Sequence, residues 1–228
     1  MDNKIIIFGA NSSIAKKLID KLKNHYLVIS FSRKKLKIKK VLQYNSNYKC
    51  SSIISILKKN IEIGKTRPIF LFFNSLTDKN IFVNSGEREI KDILYVNLTL
   101  PILLTNSIIK NFFYTKPIFI YMSSIRFKKN DNGITLYTTT KNAILSFAKN
   151  LNFEYSKFNI VFKVILLGLF KGGLEKNLPK GVRNKILQKY NNGQFCKVAD
   201  LKKIIDYVIN SPHKKNVEID FLRFRKLT

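Results

Sequence analysis

Tyr137 and Lys141 stand four residues apart, and their side chains are of a type that can transfer a proton. Ile144, Phe147 and Leu151 follow at helical spacing, which predicts that the pair lies on one face of a helix, one turn apart. An ammonium group favours a neighbouring phenolate, so we expect the pKa of Tyr137 to fall from about 10 towards neutral pH, where the residue could give or take a proton. A surface pair on a solvated helix is the alternative, and it is the commoner meaning of this spacing.

Asn97 and Pro101 form a second notable pair, inside a helix predicted over residues 90–112. The amide of residue 101 would normally donate a hydrogen bond to the carbonyl of residue 97, but proline has no amide hydrogen. The Asn97 carbonyl therefore needs another donor, such as a water molecule. An ordinary helix kink without a further role is the alternative.

A glycine turn follows the first predicted strand. Residues 4–8 form a short apolar run, typical of a parallel strand that is buried on both faces, and Gly9 comes directly after it. Leu18, Ile19 and Leu22 then repeat at helical spacing. A strand, a tight glycine turn and a helix together direct helix amides towards a pyrophosphate group.

Small residues replace the other glycines of this turn. In a G-x-x-x-G-x-G pattern that begins at Gly9, Ser13 and Ala15 occupy the second and third glycine positions. Both side chains are small, so the backbone can still approach a phosphate closely, and Ser12 or Ser13 adds a hydroxyl donor.

The second predicted strand, residues 26–31, ends in a basic cluster that begins with Ser32 and Arg33. In a dinucleotide-binding domain this strand end contacts the adenosine ribose, where a carboxylate favours NAD and an arginine accommodates the 2′-phosphate of NADP. Neither Asp nor Glu stands near this position, so Arg33 favours NADP. A solvated run of lysines is the alternative.

The composition is that of a folded chain, since 45% of its 228 residues are hydrophobic. We find no apolar stretch long enough to span a bilayer and no cleavable signal pattern, and we expect a cytoplasmic location. Cys50 and Cys196 are too few and too far apart for a disulfide framework or a metal site, so no metal is expected.

The formal net charge of +28 has two interpretations. One is binding to nucleic acid or to an anionic membrane. The other is compositional, because Lys, Asn, Ile, Phe and Tyr are all abundant and Trp is absent, as an A/T-rich coding sequence would produce. No zinc-finger spacing, RNA-binding aromatic signature or basic-helix heptad is present, which argues against dedicated nucleic-acid binding.

Strands and helices are predicted to alternate along the whole chain, which indicates an α/β fold with one doubly wound parallel sheet in a single domain, residues 1–228. The predicted strands are residues 4–8, 26–31, 40–44, 68–73, 116–122, 159–167 and 216–222. Between them we expect helices that include residues 51–63, 90–112 and 198–209, and a mobile flap around one short helix over residues 168–193.

These features resemble the short-chain dehydrogenase/reductase family over nearly the full length of the chain. The glycine turn at Gly9, Asn97 in the central helix, Ser124 after the fifth strand, and Tyr137 with Lys141 occur in the order of the family. Ser124 precedes Tyr137 by thirteen residues, the usual spacing in the family, which favours it over the adjacent Ser123.

The resemblance implies a Rossmann fold with about seven strands, flanked by helices on both faces, and a mechanism of carbonyl reduction. Tyr137 would be the general acid, Lys141 would lower its pKa and hold the nicotinamide ribose, and Ser124 would bind the substrate oxygen. The Asn97 carbonyl would hold a water molecule that relays protons to Lys141. The residues predicted to bind the cofactor, NADP(H) rather than NAD(H), are Gly9, Asn11, Ser12, Ser13, Ile14, Ser32, Arg33, Asn74, Tyr137, Lys141 and Gly168.

The chain departs from the family pattern at two strand ends. The family often has Asn-Asn-Ala-Gly after the fourth strand, where only Asn74 carries over, and Pro-Gly after the sixth, where Leu167 precedes Gly168. The resemblance implies a homodimer or homotetramer and a small carbonyl or alcohol substrate, which Arg126 and Lys128 would favour as an anion. A catalytically inactive nucleotide-binding protein and a basic nucleic-acid-binding protein are the alternatives.

Overall fold

Seven parallel strands form one sheet in the order β3-β2-β1-β4-β5-β6-β7. The computed structural model describes residues 3–34, 36, 38–78, 81–128, 132–173, 180–191, 193–212 and 216–224. The strands are β1 (Lys4–Phe8), β2 (Leu27–Ser32), β3 (Leu42–Asn45), β4 (Pro68–Phe72), β5 (Ile118–Ser124), β6 (Val161–Leu167) and β7 (Glu218–Asp220). The predicted doubly wound parallel sheet is therefore confirmed, while a single domain over residues 1–228 stays a prediction.

Helices connect the strands and cover both faces of the sheet. Within the described residues the α-helices are α1 (Ser13–Leu22), α2 (Cys50–Asn60), α3 (Glu87–Leu94), α4 (Leu100–Phe112), α5 (Thr135–Glu154), α6 (Lys180–Asn191), α7 (Val198–Asn210) and α8 (Phe221–Phe224). Buried residues of α2, α4 and α5 pack on one face, and those of α1 and α7 pack on the other.

The central strands β1, β4, β5 and β6 are largely apolar because both of their faces are covered. On the face below α4 and α5, aromatic rings stack from strand to strand. Phe70 stacks on Phe119 at 5.4 Å between ring centroids, and Phe119 stacks on Phe162 at 5.0 Å. This aromatic layer supports the helices that hold the candidate catalytic residues.

Strand β1 pairs in parallel with β2 on one side and with β4 on the other, so the strand order reverses between β1 and β4. At such a point the connections leave the sheet in opposite directions and open a crevice at the carboxyl ends of the strands. The fold therefore locates a ligand site beside Gly9, at the end of β1.

Several predicted boundaries were wrong in detail. The single helix predicted over residues 90–112 is α3, a π-helical turn at Tyr95–Thr99, and α4. The flap predicted over residues 168–193 contains the twelve-residue helix α6, and residues 174–179 and 192 lie outside the described residues. The last strand is short, and α8 replaces its predicted end.

The helical stretch Glu87–Thr115 is long and apolar enough, by length and composition, to cross a bilayer. The prediction that no stretch reaches this length was therefore wrong. Its apolar window is 44% buried, and Leu104, Ile108 and Phe112 belong to the core on the same face of the sheet as the aromatic layer. Core helices of folded domains pass the same test, and these contacts account for the apolar character of α4.

Candidate active site

The glycine turn at the end of β1 is shaped by Gly9. Its φ of +73° lies in the left-handed region, and a Cβ there would come within 2.7 Å of the Phe73 carbonyl carbon and 2.8 Å of the Asn74 nitrogen. Only glycine fits both conditions without strain. The Ser12 hydroxyl caps α1 by accepting a hydrogen bond from the Ala15 amide at 3.1 Å, which leaves the first amides of the helix directed at the cleft.

Tyr48 completes this turn from the loop after β3. The Gly9 amide donates to the Tyr48 hydroxyl at 2.8 Å, and that hydroxyl donates to the Phe31 carbonyl at 3.0 Å. Tyr48 is 8% exposed and has a φ of +63°, which is unusual for a bulky residue and shows that the tertiary contacts hold it. Burial raises the pKa of Tyr48, so its hydroxyl keeps the proton that it donates.

The carboxyl end of β2 is basic. Arg33 is exposed there, and its charge is close enough to the Tyr48 phenol to favour the phenolate against the effect of burial. Ser32 is buried, and its hydroxyl donates to the Lys34 carbonyl. The sequence contains no Asp or Glu between Asp20 and Glu62, so no nearby acid neutralises this end of the strand.

Helix α5 brings Tyr137 and Lys141 to the carboxyl ends of β4 and β5. The Lys141 ammonium is 5.7 Å from the centroid of the Tyr137 ring, and it donates to the carbonyl oxygens of Met122 at 3.0 Å and Asn74 at 3.4 Å. Lys141 is 3% exposed, and burial lowers its pKa to about 8.

The expected lowering of the Tyr137 pKa is not found. Burial raises the pKa of Tyr137, and the nearby Ser124 hydroxyl and Arg126 guanidinium offset this only in part. Lys141 does not lower it, because its ammonium is itself desolvated and bonds to strand carbonyls. The prediction failed because the spacing of the pair gives its proximity but not its burial.

The two serines after β5 have different partners. Ser123 donates to the backbone carbonyl of Lys141 at 3.0 Å, which ties β5 to α5. The Ser124 hydroxyl accepts a hydrogen bond from the Arg126 amide at 3.2 Å. Its own proton therefore remains available for a hydrogen bond to the Tyr137 phenol oxygen. The geometry thus gives Ser124 the position beside the phenol.

Asn97 lies in the π-helical turn, where backbone hydrogen bonds run from residue i to residue i+5. Its side chain is 1% exposed and is fully engaged in three hydrogen bonds. It accepts from the Leu76 amide at 2.6 Å and donates to the Leu76 carbonyl at 2.9 Å and to the Thr140 hydroxyl at 3.1 Å. Asn97 therefore joins the loop after β4 to α5, and the role of its carbonyl as a water ligand stays a prediction.

Asp78, in the same segment after β4, contacts the first turn of α5. Its two carboxylate oxygens accept hydrogen bonds from the Leu136 amide at 3.0 Å and from the Tyr137 amide at 2.9 Å.

The loop after β6 forms the opposite wall of the cleft. A Cβ at Gly168 would come within 2.7 Å of the Asn191 side-chain oxygen and 2.8 Å of the Cys196 sulfur, so a larger residue here would require these side chains to shift. Asn191, at the end of α6, accepts from the Leu169 amide at 3.0 Å and donates to the Leu169 carbonyl at 3.1 Å. Helix α6 is thereby fixed to the strand end.

These walls enclose a cleft of about 800 Å³. Seven predicted site residues line it: Ser12, Ser13, Ile14, Ser124, Tyr137, Lys141 and Gly168. Six others lie around it without forming its lining: Gly9, Asn11, Ser32, Arg33, Asn74 and Asn97. A second groove of about 540 Å³, between α2 and α4, contains none of the predicted residues.

The two basic residues expected at the mouth of the cleft differ in their surroundings. Lys128 forms ion pairs with Glu218 at 2.5 Å and Asp220 at 3.6 Å, so its charge is balanced by β7. Arg126 lines the cleft, and its charge acts on the Tyr137 phenol. Of these two, Arg126 is the cation that lines the cleft.

The site suits a dinucleotide. The strand–glycine–helix turn presents amides where a pyrophosphate would bind. Among the described residues, the buried side-chain oxygen of Asn74 has no hydrogen-bond partner, and it lies in the loop between the glycine turn and Lys141. Buried polar atoms of this kind normally have partners, which a bound ligand would supply. No group of three potential metal ligands occurs among the residues that the structure describes.

Sequence reasoning missed Tyr48, Asp78 and Asn191. Each forms its contacts with residues that are distant in the sequence or with the backbone of a loop, and none belongs to a recognisable motif. The sequence did offer one signal for them. All three lie in segments that follow a predicted strand, and such segments gather at the carboxyl edge of a parallel sheet, where ligands bind.

Comparison with known proteins agrees with this geometry. The sequence profile described as short chain dehydrogenase matches residues 74–183. The 3-oxoacyl-(acyl-carrier-protein) reductase FabG of Buchnera aphidicola subsp. Acyrthosiphon pisum (strain APS) is 26% identical over 221 residues, which cover 92% of this chain and 89% of the relative. FabG of Rickettsia prowazekii (strain Madrid E) is 22% identical over 197 residues, covering 86% and 74%.

Solved structures share the fold at low sequence identity. A short chain dehydrogenase from Leptospira borgpetersenii serovar Hardjo-bovis (strain JB197) with bound NAD⁺ superimposes with a TM-score of 0.83 at 17% identity, covering 97% of this chain and 91% of the other. ElxO with NADP bound gives 0.81 at 18% identity, covering 97% and 98%. A 4-hydroxyisoleucine dehydrogenase complexed with NADH gives 0.79 at 19% identity, covering 96% of each chain.

Proposed function

We propose that this chain is a member of the short-chain dehydrogenase/reductase family, and that it is an NADP(H)-dependent oxidoreductase that interconverts a carbonyl and a secondary alcohol. The observation that carries the proposal is the cleft beside the Gly9 turn, which brings Ser124, Tyr137 and Lys141 together at the carboxyl edge of the sheet.

Tyr137 is the proposed general acid. Its raised pKa keeps the phenol protonated at neutral pH, so the proton is available to a carbonyl oxygen. Ser124 donates a hydrogen bond to the same oxygen as negative charge develops on it. The bound nicotinamide supplies the hydride in reduction and accepts it in oxidation.

Lys141 holds the cofactor and replaces the proton in this proposal. An ammonium group has three N–H donors, and two point at the carbonyls of Met122 and Asn74, so one remains for a ribose hydroxyl. A pKa of about 8 lets Lys141 give up and regain a proton near neutral pH. A water molecule on the Asn97 carbonyl would return protons to it.

The preference for NADP(H) rests on the end of β2. Arg33 is exposed there and no acid is near in the sequence, so a 2′-phosphate meets an arginine and no carboxylate. The similar solved structures contain NADP, NADH or NAD⁺, so they do not favour one cofactor over the others. The proposed preference of this chain for NADP(H) therefore depends on Arg33.

The substrate we propose is a small carbonyl compound with an anionic group. Arg126 lines the cleft and favours a negative charge near Tyr137. The curated relatives are named as reductases of 3-oxoacyl groups on acyl carrier protein, which makes a 3-oxoacyl thioester the first compound to assay.

Two further properties and a second candidate function complete this proposal. A homodimer or homotetramer follows from the family, and exposed apolar residues on α4 and α5, such as Leu103 and Phe153, provide surface for it. We propose a cytoplasmic location, because within the described residues Cys50 and Cys196 form no disulfide. An inactive nucleotide-binding protein is the second candidate function, because the turn keeps only Gly9 of its three glycines.

The test begins with fluorescence titration of NADPH and NADH, because the chain has no Trp whose emission would interfere. We expect saturable binding that is tighter for NADPH, and Arg33→Asp should reverse or abolish that preference. NADPH-dependent reduction of acetoacetyl-coenzyme A by the wild type, lost by at least 100-fold in Tyr137→Phe with cofactor binding kept, supports the enzyme. Cofactor binding without any carbonyl reduction favours the inactive protein, and no binding of either cofactor overturns both.

A further inference from the structure

Helix α5 begins without a capping side chain of its own. The residue before it, Ile134, has φ −141° and ψ 30°, and no side-chain cap forms there. The first amides of a helix have no partner inside the helix, so those of α5 need an acceptor from elsewhere. The helix end matters because Tyr137 is its third residue.

Asp78 supplies that acceptor from 58 and 59 residues away in the sequence. One carboxylate oxygen accepts from the Leu136 amide at 3.0 Å, and the other accepts from the Tyr137 amide at 2.9 Å. Both distances are those of good charge-assisted hydrogen bonds. The negative charge also lies at the positive end of the helix dipole, which strengthens the contact.

Asp78 is itself positioned by the loop that carries it. Two residues earlier, the amide and carbonyl of Leu76 are both bonded to the Asn97 side chain. At the start of the same loop, the Asn74 carbonyl accepts from the Lys141 ammonium. The loop, residues 74–78, therefore contacts the π-helical turn, the middle of α5 and its first turn.

We propose that Asp78 is a positioning residue for the oxidoreductase, which holds the first turn of α5 and thereby fixes Tyr137 for proton transfer. The inference rests on the proposed function for its catalytic part. The carboxylate bonds to the amide of the residue whose phenol reacts, so losing it releases the backbone from which that phenol projects. A small displacement of a reacting group can lower a rate by about 100-fold.

The experiment compares Asp78→Ala and Asp78→Asn with the wild type and with Asp92→Ala. Asp92 is an exposed carboxylate on α3, outside the cleft lining, so its removal changes the net charge equally without touching α5. The readouts are NADPH affinity by fluorescence, kcat and KM for acetoacetyl-coenzyme A, melting temperature, and amide hydrogen exchange along α5.

We expect Asp78→Ala to lower kcat roughly 10- to 100-fold while the NADPH Kd and KM change less than about threefold. Amide exchange should accelerate in the first turn of α5 and stay slow around Ile144. Asp78→Asn should recover part of kcat, because its one side-chain oxygen can accept one of the two bonds. Asp92→Ala should resemble the wild type in every readout.

A wild-type kcat in Asp78→Ala, or unchanged exchange in the first turn of α5, overturns the proposal. The proposal is also overturned if NADPH affinity and melting temperature both fall, and fall as far in Asp78→Asn as in Asp78→Ala. That result would indicate a general structural role for Asp78. If the wild type binds NADPH but reduces no carbonyl, the proposed function fails, and the exchange pattern alone still decides whether Asp78 holds Tyr137.

Discussion

At the scale of single residues, burial decides the electrostatics of the site. Lys141 and Tyr137 are both nearly inaccessible, and desolvation disfavours the charged form of each. Proximity of the two groups would have shifted the Tyr137 pKa the other way. The site is therefore built to hold a neutral phenol and an ammonium of reduced basicity, which suits a proton donor near neutral pH.

The depressed pKa of Lys141 predicts a specific pH dependence of stability. The folded value is about 8, below the ordinary 10.5, so between these pH values the unfolded chain binds more protons than the folded one. Stability contributed by this residue therefore rises from pH 8 to pH 10.5 and is lowest below pH 8. The difference corresponds to roughly 3 kcal/mol at most.

Chemical denaturation of wild type and Lys141→Met across pH 7 to 11 tests this expectation. The unfolding free energy of the wild type should gain on that of the variant as the pH rises, because methionine does not titrate. If the unfolding free energies of the two proteins change in parallel with pH, the pKa of Lys141 is the same in the folded and unfolded states, which contradicts the prediction.

Tyr48 predicts an effect on cofactor affinity. Tyr48→Phe removes the acceptor of the Gly9 amide and a donor to the Phe31 carbonyl. One net hydrogen bond contributes about 1 kcal/mol, so we expect the Kd for NADPH to rise about fivefold as the turn loosens. Tyr114→Phe, at a side chain that is 81% exposed, is the matched control. Equal affinity in all three proteins would contradict a role for Tyr48 in the turn.

At the scale of elements, close contacts between loops and helices form the cleft. Pro101 indicated an irregularity in the helix that carries Asn97, and the structure gives it the form of a π-helical turn. Such turns occur frequently at functional sites. The missing proline amide predicts the place of the irregularity, whereas its form depends on how α3 and α4 pack against α5.

Gly168 predicts a packing effect on the wall of the cleft. Gly168→Ala introduces a Cβ within 2.8 Å of both Asn191 and Cys196. The hydrogen bonds of Asn191 with Leu169, which join α6 to the end of β6, must then shift. We expect a loss of about 1–3 kcal/mol in stability, together with weaker cofactor binding. Gly86→Ala is the control, because a Cβ there meets nothing within 4 Å and its φ of −73° suits alanine. Similar melting temperatures for the two variants would mean that the loop relaxes without cost.

At the scale of the whole molecule, the net charge of +28 opposes compaction. The fourteen acidic residues are too few to balance forty-two basic ones, and several described ion pairs are exposed, such as that of Lys91 with Glu87. Exposed pairs contribute little to stability. The stability of the fold must therefore come mainly from the hydrophobic layers on both faces of the sheet.

Salt should stabilise the protein for this reason. Raising NaCl from 10 to 300 mM shortens the Debye length from about 30 Å to below 10 Å and screens the self-repulsion. We expect the melting temperature to rise by several degrees, as measured by circular dichroism at pH 7. A melting temperature that falls with salt would indicate that attractive ion pairs outweigh the repulsion. Binding to mixed-sequence DNA, measured over the same salt range, tests the alternative that the protein binds nucleic acid. That alternative predicts tight binding at low salt and a steep loss of affinity as the salt concentration rises.

The sequence by itself determined the order of strands and helices, the glycine turn and the spacing of Ser124, Tyr137 and Lys141, because periodicity and local backbone preferences are encoded in neighbouring residues. The tertiary structure decided the direction of the Tyr137 pKa, the π-helical turn and the contacts of Tyr48, Asp78 and Asn191. Those depend on burial and on residues far apart in the chain, and no local pattern contains that information.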